Sequence, residues 1–222
     1  MILVCLSLLL ISLIYVGGSH RISTIIYVSG FQGLCLGTLV ISEMDTSHWI
    51  GYSLTLVDTL MVKGFLLPMF YLNILKKHKT LNDKTSLIPD NLNLVMVTLA
   101  TIGSVLLVNY IHPIRLSLEI THGDSAHGPN PLHLSVSLAL ILSGFILMLT
   151  RRKLFTMVLA FAIIENGIFL LTLSIGEEMS SLVHLRLLID LLATILIIGL
   201  LFNRMAFAYK DIMEDNLNKL YD

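Results

Sequence analysis

Charged side chains are scarce in this chain: Asp, Glu, Lys and Arg make up 13% of its 222 residues, against about 25% in soluble domains. With 55% hydrophobic residues and a mean hydropathy of +0.86, a soluble fold is excluded and an integral membrane protein is expected. The formal net charge of −1 and the lack of a Lys/Arg cluster beside aromatics argue against nucleic-acid binding. Cysteine is almost missing. Cys5 and Cys35 lie in separate apolar segments, with no C-x-x-C pair and no third ligand. Neither a metal site nor a redox dithiol is therefore expected, and both read as small core residues. The first segment, 2–18, has no positive n-region. Its apolar run exceeds the about 7–15 residues of a signal peptide, so it reads as an uncleaved transmembrane helix.

What is abundant is long apolar sequence. Seven runs, at about 2–18, 22–41, 50–75, 91–111, 132–149, 154–175 and 182–203, predict an all-α, polytopic transmembrane bundle of seven helices. Mostly short connections make sequential neighbours pack side by side. Lys and Arg in the connections set the orientation. Arg21, Lys76, Lys77, Lys79, Lys84, Arg151, Arg152, Lys153, Arg204, Lys210 and Lys219 all fall on one side. The other side holds Glu43, Asp45, Glu119, Asp124, Glu177 and Glu178, with Arg115 as its basic residue. This bias predicts an outer N-terminus and a cytoplasmic C-terminus. Four parts result: a four-helix part, 1–111; an extracytoplasmic polar loop, 112–131; a three-helix part, 132–203; and a cytoplasmic tail, 204–222. The tail spaces Tyr209, Ile212, Met213, Leu217 and Leu220 roughly as a helix does, and its slightly acidic balance favours a protein partner over an anionic bilayer.

Five ionisable residues interrupt the apolar runs: Asp58, Lys63, Glu165, Arg186 and Asp190. A charge at mid-membrane costs roughly 2.5–3.5 kcal/mol on insertion scales, and such residues mark ion or proton routes by default. Counted from the outer helix ends, the depths of Asp58, Asp190, Glu165 and Lys63 agree within about 8 Å at about 1.5 Å per residue, so these groups can form a band in the membrane plane. Arg186 and Asp190 are four apart and able to pair. Asp58 and Lys63 are five apart, so on an α-helix their faces diverge. Glu165 has no basic residue within four positions, which suits a carboxyl group that exchanges a proton. The competing reading is that these charges only tie helices together, through contacts worth about 0.6 kcal/mol. Pro68 in the third helix cannot donate its backbone bond and crowds the carbonyl of Gly64, so a kink is expected beside Lys63. That kink is either a benign membrane proline or a break that lets water reach the lysine. His112, His122, His127 and His133 lie in or next to the polar loop, without the spacing of a helical metal site; a solvated loop explains them and no metal is expected.

The stretches RRKLFTMVLAFAIIENGIFLL (151–171) and LLIDLLATILIIGLLFNR (187–204) together resemble the C-terminal part of component E of hydrogenase-4. TLMVKGFLLPMFYLNILKK (59–77) and DNLNKL (215–220) fit the same family, and the likeness is most specific at Glu165-Asn166-Gly167. The resemblance implies a membrane subunit of a hydrogenase or formate hydrogenlyase related to respiratory complex I. Its last three helices are similar to the K subunit of complex I and the C subunit of Mrp antiporters. Two buried carboxylates of that subunit belong to a lateral proton-transfer axis and would fall on Glu165 and Asp190. Here the second is Asp beside Arg186, where the K subunit has Glu. The implied partners are antiporter-like membrane subunits and peripheral nickel-iron and iron-sulfur subunits. The implied location is the cell (inner) membrane, with no cofactor and no catalytic centre in this chain. The alternatives are an assembly scaffold, a subunit of an Mrp-like cation/proton antiporter, and a haem-binding anchor. The last needs facing histidines, yet His48, His112, His133 and His184 lie at or near helix ends.

Overall fold

A backbone placed in hydrocarbon has no water to bond, so each apolar run must close its own N–H···O=C bonds as a helix. The computed structural model describes residues 1–19, 21–42, 53, 55–77, 89–122, 130–151, 154–175 and 199, and among them no strand occurs. The helices are α1 (Ile2–Gly17), α2 (Ile22–Ser42), α3, α4 (Asp90–His122), α5 (Pro131–Thr150) and α6 (Leu154–Ile175). Helix α3 begins as a π-helix over Asp58–Leu66 and continues as an α-helix over Leu67–Lys77. Five stretches are long and apolar enough to cross a membrane: Ile22–Ser42, Thr55–Lys76, Asn91–Ile111, Pro131–Thr150 and Phe155–Ser174. The described part of the chain is thus helical throughout, and its five long apolar helices are those of a multi-pass membrane protein. Helix α1, at 16 residues, reaches about 24 Å and falls short of the usual span. The expected seventh helix, 182–203, lies outside the described residues apart from Gly199. The chain divides into two units, Met1–His184 and Leu185–Asp222, and helices α1 to α6 all belong to the first.

Two features depart from or add to the sequence reading. The polar loop expected over 112–131 is helical as far as His122. Once a helix is propagating, each further residue gains a backbone bond, and beyond Pro113 the run Ile114–His122 contains neither Gly nor Pro to stop it. Beside Lys63, where a kink is expected, lies a nine-residue π segment, closed by the N–H of Leu67 donating to the carbonyl of Val62. The burial pattern explains the preference. Thr55, Thr59, Lys63, Leu67, Tyr71 and Leu75 are buried, while Val57, Met61, Phe65 and Met69 are exposed. This stripe advances four residues at a time. On an α-helix of 3.6 residues per turn it drifts by about 40° per step. In the wider π segment, whose bonds reach five residues back, a four-residue step falls short of a turn and drifts the other way. The two parts of α3 therefore offset one another, and the stripe stays facing the bundle.

Helices that follow one another in the chain run antiparallel, so α1 and α5 share one direction and α2 and α6 the other. Helix α5 packs most extensively on α6; α4 packs on α5, α2 on α3, and α1 on α2, α4 and α5, while α2 also meets α6. At one end Asn93 of α4 donates to the carbonyl of Gly17 (3.1 Å) and accepts from Thr150 Oγ1 of α5 (3.3 Å). At the other, Cys5 Sγ of α1 meets Thr38 Oγ1 of α2 at 3.1 Å, and Ser174 of α6 donates to the carbonyl of Asn130 at 3.4 Å. Both cysteines are buried and reduced. Asn130 caps α5 by accepting from the N–H of Leu132, with Pro131 next to it at the first turn, a preferred pairing at a helix start.

Arg151, expected as a loop charge, is 2% exposed, and its Nη2 donates to the carbonyl of Ser19 at 3.2 Å. It follows the last residue of α5 and reaches the C-terminal end of α1, where orphan carbonyls favour a cation. Arg151→Ala is expected to cost about 1.5–3 kcal/mol, the range for a hydrogen bond to a charged group, with Arg151→Lys recovering part of the loss. Thermal unfolding in detergent measures it; an unchanged midpoint for the alanine variant would show that the clasp carries no stability.

Candidate functional site

Three glycines let α2 and α3 approach closely. A Cβ added at Gly33 would stand 3.0–3.1 Å from the backbone of Lys63 and Gly64. One at Gly30 would stand 2.8 Å from Pro68 Cγ, and one at Gly37 would overlap the Leu60 side chain. Small residues at membrane helix interfaces allow such approach and the dispersion contacts that come with it. Gly144 and Gly167 do the same between α5 and α6: their added Cβ atoms would come within 3.0 Å of the backbone nitrogen of Ile164 and 2.9 Å of that of Ile141.

The glycine contact fixes where Lys63 sits. Its side chain is 6% exposed, and Nζ lies 5.6 Å from the ring centroid of Phe169 on α6, inside the distance at which a cation is drawn to a ring face. Phe169 is one helical turn beyond Glu165, on the same side of α6. Glu165 stands at the centre of Leu154–Ile175 and is 7% exposed. Toward the other end of the same interface, Tyr71 of α3 meets Phe155 of α6 edge to face, with centroids 6.0 Å apart. Tyr71 is within electrostatic reach of Glu165. Lys63, Tyr71, Phe155, Glu165 and Phe169 therefore belong to one α3–α6 contact.

Asp58 is half-buried, with its Oδ2 atom enclosed. The divergence from Lys63 expected on an α-helix does not apply. In a π-helix the bond runs from residue i+5 back to residue i, so Lys63 follows Asp58 by one turn. Asp190 and Arg186 lie outside the described residues.

Beside the charged pair of helices is an uncharged ladder. Gln32, the central residue of α2 and the only glutamine of the chain, is fully buried. Its Nε2 donates to Ser12 Oγ of α1 at 2.8 Å, and its Oε1 accepts from Asn166 Nδ2 of α6 at 3.2 Å. Ser12 Oγ donates in turn to the carbonyl of Leu9 at 2.6 Å. The sequence reading singled out Asn166 only as part of the Glu165-Asn166-Gly167 motif and missed Gln32, Ser12, Tyr71 and Phe169. A lone glutamine at mid-helix, between Gly30 and Gly33, was the available signal.

His133 is buried at the start of α5. Among the described residues no group of three or more His, Cys, Asp or Glu is placed to hold a metal ion. The side chains of His112 and His122, and all of His127, lie outside them. No family model matches the chain, and neither a curated protein nor a solved structure does.

Proposed function

We propose that this chain is a non-catalytic membrane subunit of a complex I-like hydrogenase of the formate hydrogenlyase type. In this reading Glu165, Lys63 and Asp58, with Asp190 and Arg186 of the C-terminal segment, contribute to lateral proton transfer. Electron transfer in partner subunits drives it. The observation that carries the reading is the burial of Lys63 and Glu165 in mid-span on two helices that meet at Phe169. Charged residue types placed at such depth are costly and are otherwise rare. The proposal includes seven spans, an outer N-terminus, a cytoplasmic tail, and the four-part division at 111, 131 and 203, in the cell inner membrane. The basic residues support that orientation, since Arg21, Lys76 and Arg151 sit at one end of the helices.

A scaffold without a proton role is the second reading. The glycine contacts and the Ser12–Gln32–Asn166 ladder favour it, because both join helices without charge. A subunit of an Mrp-like antiporter is a third. Purification of the tagged chain from native membranes in mild detergent, with identification of what accompanies it, separates the partner sets. A large antiporter-like membrane protein together with a nickel-iron subunit is expected. Antiporter-like subunits without nickel-iron protein would move the assignment to the Mrp-like reading. A chain that emerges alone from several detergents would sink all three.

A further inference from the structure

Ser12 has a single hydroxyl proton and gives it to the carbonyl of Leu9 at 2.6 Å. Toward Gln32 it can therefore only accept. Gln32 must present its NH₂ to Ser12 and its carbonyl to Asn166, and Asn166 must present its NH₂ to Gln32. The two observed bonds, 2.8 and 3.2 Å, have this sense. The ladder thus has one polarity and one length, and Gln32 spans the whole gap between α1 and α6. All three side chains are buried, at 6%, 0% and 3% exposure.

The bond to Asn166 also sets the rotation of α6. Consecutive helical residues project about 100° apart. With Asn166 held against α2, Glu165 is turned to the α3 side, where Phe169 lies against Lys63 and Phe155 against Tyr71. The margin is small. Ile168, three residues on and so only about 60° around the helix, is 43% exposed, whereas Glu165 is 7% exposed. A turn of α6 by that angle would carry the carboxyl to the outer face of these helices.

We infer that Gln32 is a positioning residue for Glu165, held by Ser12 and acting through Asn166 to keep the carboxyl at the α3–α6 contact. The inference rests on the reading of Glu165 as a proton-exchanging group. On α3, Tyr71 is within electrostatic reach of it, Lys63 lies over Phe169 one turn away, and Asp58 precedes Lys63 on the same π segment. Helix α2 carries no charged residue, and α5 offers only His133, near its first turn.

Dicyclohexylcarbodiimide, an apolar reagent that attacks protonated carboxyl groups, reads both the position and the protonation of Glu165. The full chain is kept in its native membranes and labelling of the Glu165 peptide is followed by mass spectrometry across pH, with Glu165→Gln as the blank. Gln32→Leu, Asn166→Leu and Ser12→Ala are each expected to raise the labelling rate by about threefold or more. That factor corresponds to about 0.6 kcal/mol, typical of one interhelical hydrogen bond. The pH midpoint of labelling is expected to move in the same direction in all three. Leu36→Ala, which opens a cavity one turn along the same helix, is expected to leave the midpoint unchanged. Ser12→Ala removes one oxygen atom and keeps the test alive if Gln32→Leu does not fold. If wild-type Glu165 labels with a pH midpoint and the three variants match Leu36→Ala, the positioning role is overturned while the proton-exchange reading stands. If wild-type Glu165 shows no labelling at any pH, that reading falls and the inference with it.

Discussion

Gly33→Val is expected to be the most destabilising single change among the α2 glycines, at about 3 kcal/mol, the upper end of the range for forcing methyl groups into a packed interior. The atoms its Cβ would meet at 3.0–3.1 Å are the carbonyl carbon and oxygen of Lys63 and the nitrogen of Gly64. Backbone cannot swing aside as a side chain does, so α2 and α3 must separate. Separation also loosens the contacts of Gly30 with Pro68 and Gly37 with Leu60, because all three lie along one helix face. Gly33→Ala brings the same Cβ without the γ-methyls and is expected to cost about 1 kcal/mol. Gly103 of α4 supplies the contrast: a Cβ there meets nothing within 4 Å. Gly103→Ala is expected to stabilise by up to about 1 kcal/mol through reduced freedom of the unfolded chain. Reversible denaturation in mixed micelles, comparing these variants with wild type, measures the series. A Gly33→Val protein as stable as Gly103→Ala would mean that α2 and α3 are not in contact at Lys63.

The parts of the fold that were readable from sequence are those set by composition over a whole helix. The apolar runs locate α1, α2, α5 and α6 to within a residue or two, because the membrane imposes both length and helicity on them. Buried ionisable residues were equally visible: Lys63 and Glu165 stand out because so few residues of their type occur in apolar context, and both are buried. What escaped was set by contacts between helices. The widening of α3 depends on which residues must face inward, and the four-residue stripe from Thr55 to Leu75 is legible only once burial is known. Pro68 pointed to the right stretch but not to its nine widened residues. Gln32 was passed over because an uncharged amide costs far less in lipid than a carboxylate. Its partners Ser12 and Asn166 are 20 and 134 residues away in the chain. Arg151 looked like any loop charge; only the nearness of the α1 and α5 ends gives it a carbonyl to bind.

These contacts divide the two roles under test between different residues. Gly33 and Gln32 hold helices together and place Glu165, and they contain no group that changes charge near neutral pH. Glu165 contributes to neither close glycine contact nor the ladder. A variant that alters only its ability to lose a proton therefore separates chemistry from architecture.

Glu165→Gln is that variant. It keeps the length of the side chain, a carbonyl oxygen and a donor, and removes only the ionisable proton. If the carboxyl lies on the path, every proton passing this point must bind to it and leave again. General acid–base participation of a positioned side chain is worth about 10²–10⁴-fold. The replacement is isosteric and opens no cavity, so the assembled complex is expected to keep its subunit composition. Protons translocated per hydrogen formed, measured in sealed inverted vesicles, are expected to fall about tenfold or more. Glu165→Asp retains the proton but withdraws it by one methylene from the Phe169 and Lys63 side of the contact, and is expected to fall between the two. Under the scaffold reading the three proteins differ only as their assembly differs. Normal hydrogen turnover with normal translocation in a fully assembled Glu165→Gln complex would remove this carboxyl from the mechanism, and would leave the glycine contacts and the Gln32 ladder as helix-joining features alone.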